Sequence, residues 1–123
     1  MAKKILFVED EPSLQKAISE VLIQEGFEVL SASDGEEGLK ATKEEKPDLI
    51  LLDLILPKKD GFEVLKELKA DEKLKDIPVI VLTNLEGVGD VEKALSLGAK
   101  TYLVKANYEI EDVLKMVKEH LGK

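Results

Sequence analysis

The 123 residues carry eighteen lysines, no arginine and twenty-six acids, for a net charge of −8, with no cysteine and one histidine, His120. That length suits one domain able to bury roughly two-thirds of its unfolded surface, and the composition excludes disulfide frameworks, thiolate zinc, cysteine nucleophiles and multi-histidine metal sites. The acidic balance disfavours direct binding to nucleic acid or anionic lipid, and apolar runs far too short to span a membrane, with no signal-peptide pattern in Met1–Asp10, lead us to expect a cytoplasmic chain.

Short β-rich apolar runs alternate five times with longer segments of helical spacing. Lys4–Val8 (KILFV) reads as the first strand. Pro12 and Ser13 open a helix with Leu14, Ala17, Ile18, Val21 and Leu22 on one face, stopped by Gly26. Phe27–Ala32 is the second strand, and Ser33 or Asp34 can cap a helix that ends before Pro47. Asp48–Asp53 (DLILLD) is apolar on both faces, as a central parallel strand should be. Asp60-Gly61 opens a helix carrying Phe62, Leu65 and Leu68. Pro78 precedes a fourth strand, Val79–Leu82. Val88 or Asp90 to Gly98 is helical, Lys100–Lys105 is the fifth strand, and Ile110, Val113, Leu114, Val117 and Leu121 stripe a last helix.

This pattern predicts an α/β fold, a single doubly wound five-stranded parallel sheet with five helices on its two faces. Periodicity leaves the strand order open, and 2-1-3-4-5 is the arrangement expected at this size. In that topology ligands sit beyond the carboxyl ends of the strands, beside the switch point between strands 1 and 3. The residues just past each strand are therefore the ones to read. Strand 1 runs into Glu9-Asp10-Glu11, strand 3 into Asp53, strand 4 into Thr83 and strand 5 into Lys105.

Taken singly, each has a plain structural reading. Asp10 can cap the first helix, Thr83 can satisfy local backbone, and Lys105 can sit solvated at a rim. Their convergence on one sheet edge favours chemistry. Carboxylates from adjacent strands repel unless a positive charge lies between them. Hard oxygen ligands without histidine or cysteine suit Mg²⁺. A lysine and a hydroxyl opposite could then hold an anion against the cation, with phosphate the natural candidate.

These motifs, the acidic pair in ILFVEDE, LLDLILPKKDGFEVL around Asp53, VIVLTN at Thr83 and YLVKA at Lys105, resemble those of response-regulator receiver domains. The similarity covers essentially the whole chain, 1–123, and implies a flavodoxin-like single receiver domain without an effector domain. It implies that Asp53 is the phosphoacceptor and that Glu9, Asp10, Asp53 and the Ile55 backbone carbonyl surround Mg²⁺, with Mn²⁺ as a substitute. It further implies that Thr83 and Lys105 contact the phosphoryl oxygens and that Tyr102 is the switch aromatic reporting on Thr83. The implied partners are a histidine kinase or phosphotransfer protein upstream. Downstream it implies a protein partner or homodimer through helix 4, strand 5 and helix 5. Such a domain signals in two-component systems and catalyses only its own phosphorylation and dephosphorylation. The alternative is a pseudo-receiver, folded alike but acting as a phosphorylation-independent interaction module. A flavin-binding domain fits poorly, because Glu9-Asp10-Glu11-Pro12 would repel a cofactor phosphate. An aspartyl phosphatase would normally place a second Asp where Ile55 stands.

Three positions depart from the family pattern. Glu9 stands where many relatives have Asp, and Asn84 where a small residue is usual. Ala106 replaces the usual Pro with its cis bond. A cis bond before a non-proline residue costs roughly 2.5–4 kcal/mol, so a trans bond and a differently aimed Lys105 are expected. Ile55 and Leu85, two past Asp53 and Thr83, are apolar and cannot orient a hydrolytic water, which predicts a long-lived phosphorylated state.

Overall fold

The computed structural model describes residues 2–122. Five strands form one parallel sheet in the order β2-β1-β3-β4-β5, the doubly wound order expected for the family of folds to which flavodoxin and the chemotaxis receiver belong. In chain order the elements are β1 (Lys4–Val8), α1 (Pro12–Gln24), β2 (Glu28–Ala32), α2 (Gly35–Glu45), β3 (Leu49–Leu52), α3 (Gly61–Ala70), β4 (Val79–Thr83), α4 (Val88–Ser96), β5 (Thr101–Val104) and α5 (Ile110–Leu121).

The central strands bury both faces, which is why they read as unbroken apolar runs. Leu6 and Val8, Ile50 and Leu52, and Val79 and Val81 face one core, closed by Leu39 of α2, Val64, Leu65 and Leu68 of α3 and Ala94 of α4. Ile5 and Phe7, Leu49 and Leu51, and Ile80 and Leu82 face the other, closed by Ile18 and Leu22 of α1 and Val113 and Val117 of α5. The period of two in the strands thus meets a period of 3.6 in the helices on each side.

The ends of several elements differ from the sequence expectation. β3 loses both flanking acids: the Asp48 side chain accepts the Lys4 N–H at 2.7 Å, and Asp53 lies just beyond the strand. β5 is shortened to Thr101–Val104 because Lys105–Asn107 closes into a 3-10 turn. Phe27 stays outside β2. Asp34 and Asp60 do cap α2 and α3, accepting the backbone N–H groups of Glu37 and Glu63. Asp10 does not cap α1. Glu11 occupies that position without a side-chain bond, and Pro12 supplies the preset φ of the first turn. Among the described residues no helix is long and apolar enough to cross a membrane.

Candidate functional site

Parallel strands present their last residues along one edge, and the pairings Val8↔Leu52 and Leu52↔Val81 align the ends of β1, β3 and β4. Glu9, Asp10 and Asp53 consequently converge, with one carboxylate oxygen from each lying within 4.8 Å of the others. Glu9 and Asp53 are nearly inaccessible, at 1% and 3% exposure, while Asp10 is exposed. Lys105, from the turn after β5, reaches across β4 and places Nζ 2.8 Å from Glu9 Oε1 and 2.9 Å from Asp53 Oδ2. The positive charge required between the acids is therefore supplied by the chain itself.

Lys105 achieves this with a trans bond to Ala106, since no peptide bond among the described residues is cis. The expectation that the missing proline would aim Lys105 elsewhere is overturned. The 3-10 turn, in which the Tyr108 N–H approaches the Lys105 carbonyl at 3.5 Å, leaves the long lysine stem free to span the rim.

Burial raises the Glu9 pKa above the usual carboxylate value, opposed by its contacts with Lys105 and the Glu11 N–H and reinforced by the neighbouring Asp53. For Lys105 burial is the largest influence and works to lower the value, but its bonds to Glu9 and Asp53 together outweigh it and leave the pKa raised. The ammonium is thus held charged between the acids. Glu9 Oε2 accepts the Glu11 N–H at 3.1 Å. Glu9 Oε1 is buried and takes the Lys105 ammonium at 2.8 Å. Three convergent carboxylates with no nitrogen or sulfur donor form an all-oxygen set that fits a hard divalent cation.

Local backbone holds Asp53 in place. Its N–H donates to the Val8 carbonyl at 3.1 Å, and its Oδ1 accepts the Ile55 N–H at 3.1 Å. The loop after β3 then returns so tightly that a Cβ at Gly61 would lie 2.4 Å from the Asp53 carbonyl oxygen. Only glycine allows the DG turn to close there. A Cβ at Gly35 would lie 1.7 Å from the Lys59 carbonyl oxygen, so the start of α2 braces the same loop from the other side.

Thr83 ends β4 fully buried; its Oγ1 accepts the Leu85 N–H at 3.5 Å. The Tyr102 hydroxyl donates to the Leu85 carbonyl at 2.9 Å, and burial raises its pKa. Thr83 and Tyr102 are therefore linked through the backbone of Leu85. Ile55 projects outward, 51% exposed, and Leu85 is partly buried against the α2–α3–α4 core.

Sequence reading missed Gln15. Its Nε2 donates to the carbonyls of Glu9 and Ala32, each at 3.1 Å. A polar residue one turn into an amphipathic helix carries no signal by which spacing could single it out.

Residues 5–118 match the family model for the response regulator receiver domain, and the chain belongs to that family. It is 45% identical over 105 residues to the alkaline phosphatase synthesis transcriptional regulatory protein PhoP of Bacillus subtilis, covering 85% of this chain and 43% of PhoP. It is 39% identical over 115 residues to the DNA-binding dual master transcriptional regulator RpaA of Synechocystis, covering 94% of this chain and 47% of RpaA. The chain thus spans about half the length of these curated relatives. Among solved structures, the receiver domain of the sensor histidine kinase PA1611 of Pseudomonas aeruginosa matches over the full length of both chains, with 30% identity and a TM-score of 0.89. That domain carries a magnesium ion coordinated in its active-site cleft. The BeF3-activated receiver domain of Klebsiella pneumoniae RstA matches with 30% identity and a TM-score of 0.89, covering 98% of this chain and all of that one.

Proposed function

We propose that this domain accepts a phosphoryl group on Asp53 from the phosphohistidine of a histidine kinase or phosphotransfer protein, in the cytoplasm and with Mg²⁺ bound. The observation that carries this reading is the meeting of Glu9, Asp10 and Asp53 within 4.8 Å under a lysine that touches two of them. In this reading Glu9, Asp10, Asp53 and the Ile55 carbonyl hold the cation, with Mn²⁺ able to replace it. Once bound, the cation neutralises the repulsion between a carboxylate and an anionic phosphoryl donor.

A carboxylate oxygen of Asp53 attacks phosphorus as the P–N bond to the donor imidazole breaks. The bonding pair leaves with the imidazole nitrogen, which takes up a proton. Lys105, held cationic, shifts from the resting carboxylates toward the arriving phosphoryl oxygens and spreads their charge. The Ile55 N–H keeps the acceptor carboxylate oriented, a proximity contribution that needs no movement during transfer. The Thr83 hydroxyl accepts from Leu85 and retains its own proton, so it can donate to a phosphoryl oxygen. About two added negative charges at the rim then bias Thr83, Leu85 and Tyr102, and with them the α4–β5–α5 surface offered to a downstream partner. The partner is a protein or a second copy of the chain, because a domain of net charge −8 offers nucleic acid no attraction of its own.

The test is intact-protein mass spectrometry after incubation with acetyl phosphate and Mg²⁺. Wild type should gain one phosphoryl mass, lost on adding a chelator beforehand and absent in Asp53→Asn. An adduct of equal yield in Asp53→Asn, or none in the wild type, defeats the assignment; the latter outcome is that of a pseudo-receiver.

A further inference from the structure

We infer that Gln15 is a positioning residue for the metal-binding acids: its side-chain amide replaces a missing rung of the sheet and thereby fixes the peptide that carries Asp10. The inference rests on the reading of Glu9, Asp10 and Asp53 as the cation-binding set. On the β2 side of β1 the ladder opens with the Glu28 N–H donating to the Lys3 carbonyl and closes with the Glu9 N–H donating to the Ala32 carbonyl, both at 2.9 Å. By the alternation of a parallel ladder, the next acceptor on that side is the Glu9 carbonyl, and the next donor would come from β2. Pairing with β2 stops at Val8↔Ala32. The chain turns away there, because Asp34 caps α2 by accepting the Glu37 N–H and Glu37 accepts the Ser33 N–H in return, each at 2.8 Å.

Gln15 fills the gap. One amide nitrogen has two protons, and both are used, one on the Glu9 carbonyl and one on the Ala32 carbonyl. The Ala32 carbonyl therefore receives two donors, and the ends of β1 and β2 are tied together by a residue of α1. The Glu9 carbonyl belongs to the same rigid peptide unit as the Asp10 nitrogen. Holding that oxygen fixes the plane from which the Asp10 side chain departs. Asp10 is the exposed member of the acidic set and has the least packing to orient it. Glu9 is anchored by burial and by Lys105, and Asp53 by Ile55 and Lys105. Gln15 is the corresponding constraint on Asp10, exerted through the backbone.

The experiment measures Mn²⁺ binding by electron paramagnetic resonance of the free ion, with urea unfolding in chelator as its companion. The proteins are wild type, Gln15→Met, Gln15→Asn and Gln15→Arg. Methionine keeps the volume without donors, asparagine is one methylene short, and arginine restores paired N–H donors. Gln15→Met and Gln15→Asn should each weaken Mn²⁺ binding roughly tenfold, the usual scale for losing a group that orients a ligand, and Gln15→Arg should recover most of it. Should Gln15→Met fail to fold, Gln15→Asn decides. Lower stability in chelator with Mn²⁺ affinity unchanged in the folded variants would mean a merely structural role and overturn the inference. A wild type without saturable Mn²⁺ binding overturns it together with the cation-site reading. Wild-type binding retained in full by the variants overturns it alone.

Discussion

Replacing Lys105 by methionine preserves much of the side chain's length and bulk while deleting the one charge between Glu9 and Asp53. At 2.8 and 2.9 Å, and with an effective dielectric of about 20, each contact has a gross attraction of about 6 kcal/mol. Most of that offsets the desolvation of the three groups. The net loss on removing one partner of a buried pair is roughly 3–5 kcal/mol, mainly because the remaining charge is left uncompensated. The Lys105 side chain retains 16% exposure and Asp10 faces water, so the lower end applies, about 3 kcal/mol. For a chain of this length that corresponds to a fall in Tm of roughly 10 °C in metal-free buffer. Far-ultraviolet circular dichroism with urea suits a protein lacking tryptophan. Two further outcomes belong to the same argument. Millimolar Mg²⁺ should stabilise Lys105→Met more than the wild type, because the cation takes over the neutralising role without displacing an ammonium. Adding Glu9→Gln to Lys105→Met should recover part of the loss, since residues in one network do not act additively. A loss below about 1 kcal/mol, typical of an exposed pair, or strict additivity in the double variant, would falsify the internal-counterion account.

Two other predictions concern different parts of the molecule. Lys69 donates to the carbonyls of Lys75 and Ile77 at 2.9 and 3.0 Å, and its pKa is lowered, chiefly by burial and then by Lys100. Between that lowered value and the ordinary 10.5 the unfolded chain binds more protons than the folded one, so this lysine's contribution to stability should increase as pH rises through that window. A neutral amine keeps the two N–H groups that both carbonyls need. Subtracting the urea stability of Lys69→Met from that of wild type, from about pH 8 to about pH 10, should give a rising difference; a falling one would refute the assignment. As to lifetime, Ile55→Asn, alone or with Leu85→Glu, should speed loss of the phosphoryl group by supplying groups that orient water. The exposed Ile55 leaves room for it, and decay no faster than wild type would sink the idea.

The fold was legible because the strands announce burial on both faces and the helices announce one, and because Pro12, Asp34, Asp60 and Gly61 mark where elements start. The acidic cluster was legible for a related reason: in a parallel sheet, the position after each strand is enough to predict which side chains share an edge. What escaped reading depends on distances that no periodicity encodes. The reach of Lys105 is one such case. A rule about the residue after it suggested a different aim, yet a four-carbon stem tolerates a change of loop backbone that a short side chain would not. Gln15 is another, since its role exists only because β2 ends one rung early. Leu85 was noticed for its side chain, whereas its importance lies in its peptide groups, which every residue but proline possesses and which sequence therefore cannot distinguish.

That backbone link has a mechanical order built into it. The Leu85 N–H to Thr83 bond, at 3.5 Å, is at the edge of hydrogen-bond range, whereas the Tyr102 hydroxyl to Leu85 carbonyl bond, at 2.9 Å, is near the optimum. In the proposed phosphorylated state, a Thr83 hydroxyl drawn toward Asp53 would strain the longer bond first, while the Tyr102 hydroxyl keeps its hold on Leu85. The loop after β4 would then be tied to β5 more firmly than to β4. Tyr102 and Leu85 are both packed against the core that Ala94 of α4 helps to close, so a shift of that loop would bear on the packing of α4. On the proposed function, a change of one hydroxyl's partner at the sheet edge would alter how α4 sits on the sheet. The proposed conversion rests on the two bonds to Leu85 being unequal, since two equally short bonds would couple Thr83 and Tyr102 rigidly through one peptide.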